Sequence, residues 1–164
     1  GFYNRRDCAM SRVVVNEIEA KVGNDITFND TVKIDTIKGK TTAGSVTVQG
    51  EGTNTTNLQQ GLCKSWIHFE GDGTVAITDS FNVTTLTDNN DGDYSYTFTN
   101  NMNNASYCWA AAGTHDGGSY TTYMAVSHDN PPSTSALRMN CMNSGNSNRL
   151  DAELLTTSIH GDLA

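Results

Sequence analysis

The sequence has few of the residues that build a thick core or a rigid spacer. Hydrophobic residues make up 36% of the 164, the mean hydropathy is −0.47, and only two residues are proline. That hydrophobic share is below the globular average, and so few prolines exclude a proline-rich linker protein. Threonine- and asparagine-rich turns without long apolar runs favour an all-β structure with much of its surface in water. A thin core can be supplemented across subunits, so we expect an oligomer.

Two further absences concern membranes and export. No apolar run reaches the length of a membrane-spanning helix. The first ten residues, GFYNRRDCAM, lack the apolar centre of a secretory signal peptide. We therefore expect no membrane insertion. If the protein leaves its cell, we expect it to do so by lysis or another route that needs no such signal.

Basic residues are scarce in the second part of the chain. Residues 1–60 hold seven basic and seven acidic residues, whereas residues 61–164 hold three basic and eleven acidic ones. The whole net charge of −8 therefore lies in the second part. Neutralising phosphates requires clustered lysine and arginine, so this part is not expected to bind nucleic acid.

The four cysteines, Cys8, Cys63, Cys108 and Cys141, include no pair with CxxC spacing. The spacing therefore indicates neither a zinc knuckle nor a thioredoxin-like site. Four cysteines in 164 residues do not make a disulfide-dense scaffold. We expect buried free thiols in a protein made in a reducing cytoplasm.

The stretch of residues 61–99 is the most regular part of the sequence. It predicts three strands joined by tight turns, and in residues 94–99 (YSYTFT) aromatic and small polar side chains alternate with period two. The break at residues 88–93 (DNNDGD) has hairpin chemistry, because Gly, Asn and Asp tolerate the positive φ of such turns.

The chain divides into four predicted regions. Residues 1–9 are a flexible extension, 10–50 a β-rich shaft or oligomerisation region, 51–61 a polar linker or neck, and 62–164 a β-sandwich knob. The shaft region has too few apolar groups to close a core alone, so we expect copies of it around a three-fold axis. The alternative is an N-terminal strand arm packed on its own domain. Within the neck, residues 58–62 form either one helical turn after an Asn57 cap or an extended lead-in.

Beyond the regular stretch, turn-forming clusters separate further alternating segments. These clusters are HDGG at 115–118, DNPP at 129–132 and NSGN at 143–146. Strands at this spacing predict an antiparallel sandwich. The four further candidate strands are residues 106–112, 120–127, 135–142 and 152–160.

One run of sequence resembles a known family. Residues 66–102, WIHFEGDGTVAITDSFNVTTLTDNNDGDYSYTFTNNM, are similar to the distal domain of bacteriophage tail fibres, especially those of marine phages. The matching features are the GDGT turn at 71–74, DSFNVTT at 79–85 and the hairpin at 88–94. Residues 36–62 resemble the neck of such proteins, and the ending SIHGDLA resembles theirs. The resemblance spans residues 10–164, but nothing specific is recognised in 107–151.

The resemblance implies a homotrimeric virion fibre with an N-terminal shaft and a distal β-sandwich knob. The N-terminal region would contact other tail or capsid proteins, and the knob a host-surface glycan or protein. It implies no catalytic residue and no cofactor. The alternatives are a phage head fibre or decoration protein, and a monomeric secreted carbohydrate-binding β-sandwich.

The sequence lacks the patterns of a calcium loop, a histidine metal site and a hydrolase. Asp88, Asp91 and Asp93 lack the order of an EF-hand loop and its closing glutamate, so we expect a polar hairpin without calcium. The histidines include no HxH pair, so no metal site is expected. Serine, histidine and aspartate occur without a nucleophile elbow, so we expect no enzymatic activity.

Turns within residues 107–151, where no specific resemblance is recognised, are the predicted receptor-contact surface. An aromatic group of Tyr107, Trp109, Tyr120 and Tyr123 can stack on sugars or pack in the core, and on a regular strand Tyr120 and Tyr123 face opposite ways. The turns supply amide and carboxylate groups for hydrogen bonds. The predicted contact residues are Trp109, His115, Asp116, Tyr120, His128, Asp129 and Asn130.

Overall fold

The computed structural model describes residues 29, 31–39, 46–49, 52–114 and 121–163. The chain divides into two units, residues 1–37 and 38–164. In the first unit the described residues form no strand or helix, and Val32, Ile34 and Ile37 are exposed. The predicted extension at 1–9 and most of the predicted shaft lie outside the described residues.

The second unit is built from antiparallel strands, which confirms the all-β prediction. A small ribbon pairs β1 (Thr47–Gln49) with β2 (Thr55–Asn57). A helical turn, α1 (Leu58–Gly61), follows at once, and the side chain of Asn57 caps it by accepting a hydrogen bond from the Gln60 amide at 3.1 Å. The predicted neck is therefore partly regular structure.

Eight longer strands form two four-stranded sheets. The first sheet has the order β4-β3-β10-β7 and the second the order β5-β6-β9-β8. The first sheet consists of β3 (Cys63–Glu70), β4 (Ala76–Phe81), β7 (Cys108–Thr114) and β10 (Leu154–His160). The second consists of β5 (Val83–Asn90), β6 (Asp93–Phe98), β8 (Thr122–Val126) and β9 (Ala136–Asn143).

Both sheets contribute to one hydrophobic core. In β3 the buried Ile67 and Phe69 alternate with half-buried residues, and in β6 the buried aromatics alternate with Ser95 and Thr97. The rings of Phe69 and Tyr94 meet edge to face, with centroids 5.2 Å apart. The Thr157 hydroxyl also bonds the Met139 sulfur at 3.2 Å.

The regular stretch of residues 61–99 contains four strands rather than the three predicted. The extra break is at Asn82, which has a φ of 58° and separates β4 from β5. Its side-chain amide donates to the carbonyls of Lys64 and Asn100 and its Oδ1 accepts from the Asn100 amide at 2.6 Å. This residue thus turns the chain from the first sheet into the second.

Candidate functional site

A polar groove lies on the outward side of the second sheet. It has a volume of about 350 Å³ and lies between the β8–β9 loop and the adjacent strands β9 and β6. Ser95 of β6 and Arg138 of β9 are register partners, so their side chains share this side of the sheet. The groove, called here the Arg138 groove, is lined by Ser95, Asp129, Asn130, Pro131, Ser133, Ala136, Leu137 and Arg138.

The guanidinium of Arg138 is held in place by the buried carboxylate of Asp93. Its Nε and Nη2 donate to the two carboxylate oxygens of Asp93 at 2.7 and 2.8 Å. Asp93 is only 1% exposed and accepts a further bond from Arg149 at 2.8 Å. A guanidinium carries five N–H donors, so three of those on Arg138 have no partner in the described part of the chain. An anchored arginine of this kind is a preorganised hydrogen-bond donor.

Charges around the groove are paired. The hydrogen bonds from Arg138 hold the pKa of Asp93 below its ordinary value against the opposing effect of burial. The pKa of Arg138 is raised, first by the same hydrogen bonds and also by the nearby Asp129 carboxylate. Two arginines and two aspartates therefore leave the groove close to electrically neutral.

The β8–β9 loop is held firmly at its base. The Ser127 amide donates to the Arg138 carbonyl at 3.1 Å, and the Ser133 hydroxyl accepts from the Ala136 amide at 3.0 Å. From the core side, the hydroxyl of Tyr107 lies 3.2 Å from the carbonyl oxygens of both Ser133 and Ala136. Two consecutive prolines stiffen the tip further. The β8–β9 loop therefore forms a well-held wall of the Arg138 groove.

Some of the predicted contact residues lie at this groove. Asp129 and Asn130 line it, and the fully exposed His128 bonds Asp129 through its ring at 3.3 Å. Trp109 lies elsewhere: opposite the buried Ile159 in the first sheet, it packs partly against the core. His115, Asp116 and Tyr120 lie outside the described residues, so the structure does not place them.

The sequence interpretation missed Arg138 and Ser95. A signal was present for Arg138, since it is one of only three basic residues in 61–164 and stands on a strand between apolar neighbours. For its partner Asp93 the sequence predicts only a place in a polar hairpin. In the structure Asp93 forms ion pairs with Arg138 and Arg149. The described residues contain no group of three side chains that could hold a metal ion.

The outward side of the first sheet has a different character. Cross-strand pairing aligns Phe81, Trp66, Ser158 and Ala110 in one row across the four strands. The next row on this side holds Asp79, His68, Thr156 and Ala112. Phe81 is half exposed, and a largely apolar hollow of about 360 Å³ lies over the alanines of β7 and the threonine and serine of β10. We call this surface the alanine face.

The cysteines follow the prediction in part. The thiol of Cys141 is buried and free as expected, and burial raises its pKa to about 11, so it stays protonated. Cys108 is free but exposed, so the expectation of burial was wrong there, because its side chain is on the open side of β7. Cys8 lies outside the described residues.

Comparisons with known proteins return no matching family model, no matching curated protein and no matching solved structure. Within the described part of the chain, no helix is long and apolar enough to cross a membrane.

Proposed function

We propose that this chain is a non-catalytic virion protein, a short trimeric phage tail fibre or fibre tip that contacts the host cell surface. In this proposal the two sheets are a β-sandwich knob, and residues 10–50 form the shaft. The resemblance of residues 66–102 to tail-fibre knobs supports the phage assignment. The alanine face supports self-association, and it is the observation that carries the proposal.

The alanine face suits a second copy of the same chain. The aromatic ridge of Phe81 and Trp66 stands beside the hollow over Ala110 and Ala112. A ridge of one copy can enter the hollow of the next, and such a head-to-tail contact forms a ring when its rotation closes. Three copies then make a closed trimer with this face toward the axis.

The distribution of charge also favours the alanine face as the contact between copies. Each chain carries −8, so copies repel one another over most of their surfaces. The centre of the alanine face is made of small uncharged side chains, Ala110, Ala112, Thr156 and Ser158. Contact through the centre of this face therefore brings copies together at a low electrostatic cost, with Asp79 of the edge strand β4 at its margin.

The ribbon ahead of the knob supports assembly independently. A lone two-stranded ribbon is marginally stable in water. In β1 and β2 every residue but one is exposed, Val48 is 52% exposed, and Leu62 beyond the helical turn is 53% exposed. Copies of the ribbon around a common axis would cover these side chains, as expected at the end of a shaft.

Ala110→Glu tests the alanine face. Because Ala110 is exposed in the single chain, the variant should fold normally, while three buried carboxylates should break the trimer. Light scattering should give about 53 kDa for the parent, three times the 17.7 kDa chain, and about 18 kDa for the variant.

Thr87→Glu is the matched control, since Thr87 is exposed on the second sheet and should leave the trimer intact. Equal masses for the parent and Ala110→Glu would remove the alanine face from the assembly. The attachment role is tested separately: purified trimer should compete with phage for adsorption to its host, and unreduced adsorption would contradict it.

A further inference from the structure

We propose that the Arg138 groove is a binding site for one neutral, polyhydroxylated sugar unit of a surface glycan. The inference rests on the proposed attachment function and specifies its ligand class. The groove is assembled from one strand pair and one loop of a single chain, so it does not depend on the alanine face.

The groove offers both kinds of hydrogen-bonding group in fixed positions. Arg138 presents N–H donors on one side, and the Asp129 carboxylate presents acceptors nearby. Asn130 adds an amide, and the Ser95 hydroxyl, which accepts a bond from the Asn89 amide at 2.8 Å, keeps its proton for a ligand. Vicinal hydroxyls donate and accept at once, so a sugar ring satisfies such a set.

Charge selects a neutral ligand over an acidic one. The positive charges of Arg138 and Arg149 are balanced by Asp93 and Asp129, so the groove gives no net attraction to a carboxylate or sulfate. The net charge of −8 further disfavours an anionic ligand. An isolated anchored arginine would select an acidic sugar, and Asp129 is the residue that prevents this.

Size and lining fit a single sugar unit held weakly. A volume of about 350 Å³ lies at the small end of ligand sites. Pro131 and Ala136 supply modest apolar contact, and among the described residues no aromatic ring lines the groove. We therefore expect a dissociation constant on the order of millimolar for one site, with useful strength arising from three sites engaged together.

The test is a titration of the full chain, followed by TROSY NMR, with methyl α-mannoside and methyl β-galactoside as neutral probes and N-acetylneuraminic acid as the acidic probe. At least one neutral glycoside should shift the signals of Arg138 Nε and the Asn130 side-chain amide. Asn130→Ala should weaken that binding about 10-fold, whereas Asn101→Ala, an exposed asparagine outside the groove, should not change it.

Asp129→Asn should shift the sugar preference of the groove from neutral towards acidic. Loss of the groove's structure alone would weaken the binding of both kinds of sugar. The substitution keeps the side chain's shape and leaves a net positive groove, so the neutral glycoside should bind more weakly and N-acetylneuraminic acid more tightly. Shifts mapping elsewhere, no binding of either neutral probe, or parent preference for the acidic sugar would each overturn the inference.

Light scattering on the same samples separates this inference from the proposed function. Sugar binding by a monomer would support the groove and contradict the fibre. A trimer that competes for adsorption without binding either neutral glycoside would support the fibre and overturn the groove.

Discussion

Gly92→Ala is expected to destabilise the protein by about 4 kcal/mol, a large share of the stability of one domain. Gly92 forms the β5–β6 turn with a φ of 58°, where an L side chain is strained. An added Cβ would lie 2.6 Å from the Cys141 carbonyl oxygen and equally close to the nitrogen and oxygen of Leu150. All three are backbone atoms and cannot rotate away. Urea unfolding at one fixed protein concentration measures the loss.

Gly73→Ala separates the strain of a positive φ from the steric clash of the added Cβ. Gly73 has nearly the same positive φ, 64°, but apart from its own atoms and those of its two chain neighbours, no heavy atom of the described residues lies within 4 Å of the position its Cβ would take. This variant should lose only the conformational term, about 1 kcal/mol. Equal losses for both variants would show that the close packing of residues 141 and 150 around the turn is wrong.

Asp93→Asn has the second largest expected effect. Removing this carboxylate leaves Arg138 and Arg149 facing a neutral amide at a site that is 1% exposed. Breaking a buried ion pair on one side costs about 3 kcal/mol. Both arginines are partly exposed, at 30% and 42%, so water can solvate them and the fold should survive. Urea unfolding near pH 7 is the measurement.

The same variant should change the response to acid. The folded state lowers the pKa of Asp93, so the folded protein binds this proton less readily than the unfolded chain does. The stabilisation is therefore complete above the unfolded pKa of about 3.9 and is lost as the pH falls through the lower folded value. Asp93→Asn should flatten the loss of stability below pH 4.

Asp91→Asn is the control for charge alone, because Asp91 is exposed in the same turn and should change neither stability nor its pH dependence appreciably. An unchanged acid limb in Asp93→Asn would show that the ion pair does not persist in solution. A parallel change in Asp91→Asn would point to the net charge of the hairpin instead.

Local signals in the sequence predicted most of the strands. The four strands after residue 105 begin and end within two residues of the predicted limits, because Gly, Asn and Asp clusters end each alternating segment. Of the two alternatives for residues 58–62, the helical turn after the Asn57 cap is the one observed, at residues 58–61. Such signals depend only on neighbouring residues.

Long-range features were harder to predict. Alternation of apolar and polar residues shows which side of a strand is buried, but it does not show which strand lies beside it. The pairing of β3 with β10 was therefore not predictable. The break at Asn82 was missed because its stabilising partners, Lys64 and Asn100, are 18 residues away on either side. A single asparagine inside an apolar, threonine-rich run is a much weaker turn signal than a cluster of Gly, Asn and Asp residues.

The candidate site shows the same division. Turn chemistry indicated Asp129 and Asn130, which line the groove. The place of Arg138 in the groove could not be predicted without knowing that β9 lies beside β6. Only that pairing brings Arg138 to Asp93, which is 45 residues earlier in the chain. The different characters of the two outward sides, aromatic and small side chains around an apolar hollow on one sheet and a polar groove on the other, likewise appear only once strand order is known.

The most direct test of the account is the native mass of the full chain in solution, measured by light scattering across a range of concentrations. The account predicts a trimer of about 53 kDa, three times the 17.7 kDa chain, that persists on dilution. A monomer of about 18 kDa at every concentration would contradict it, because the alanine face and the exposed ribbon would then have no second copy to cover them.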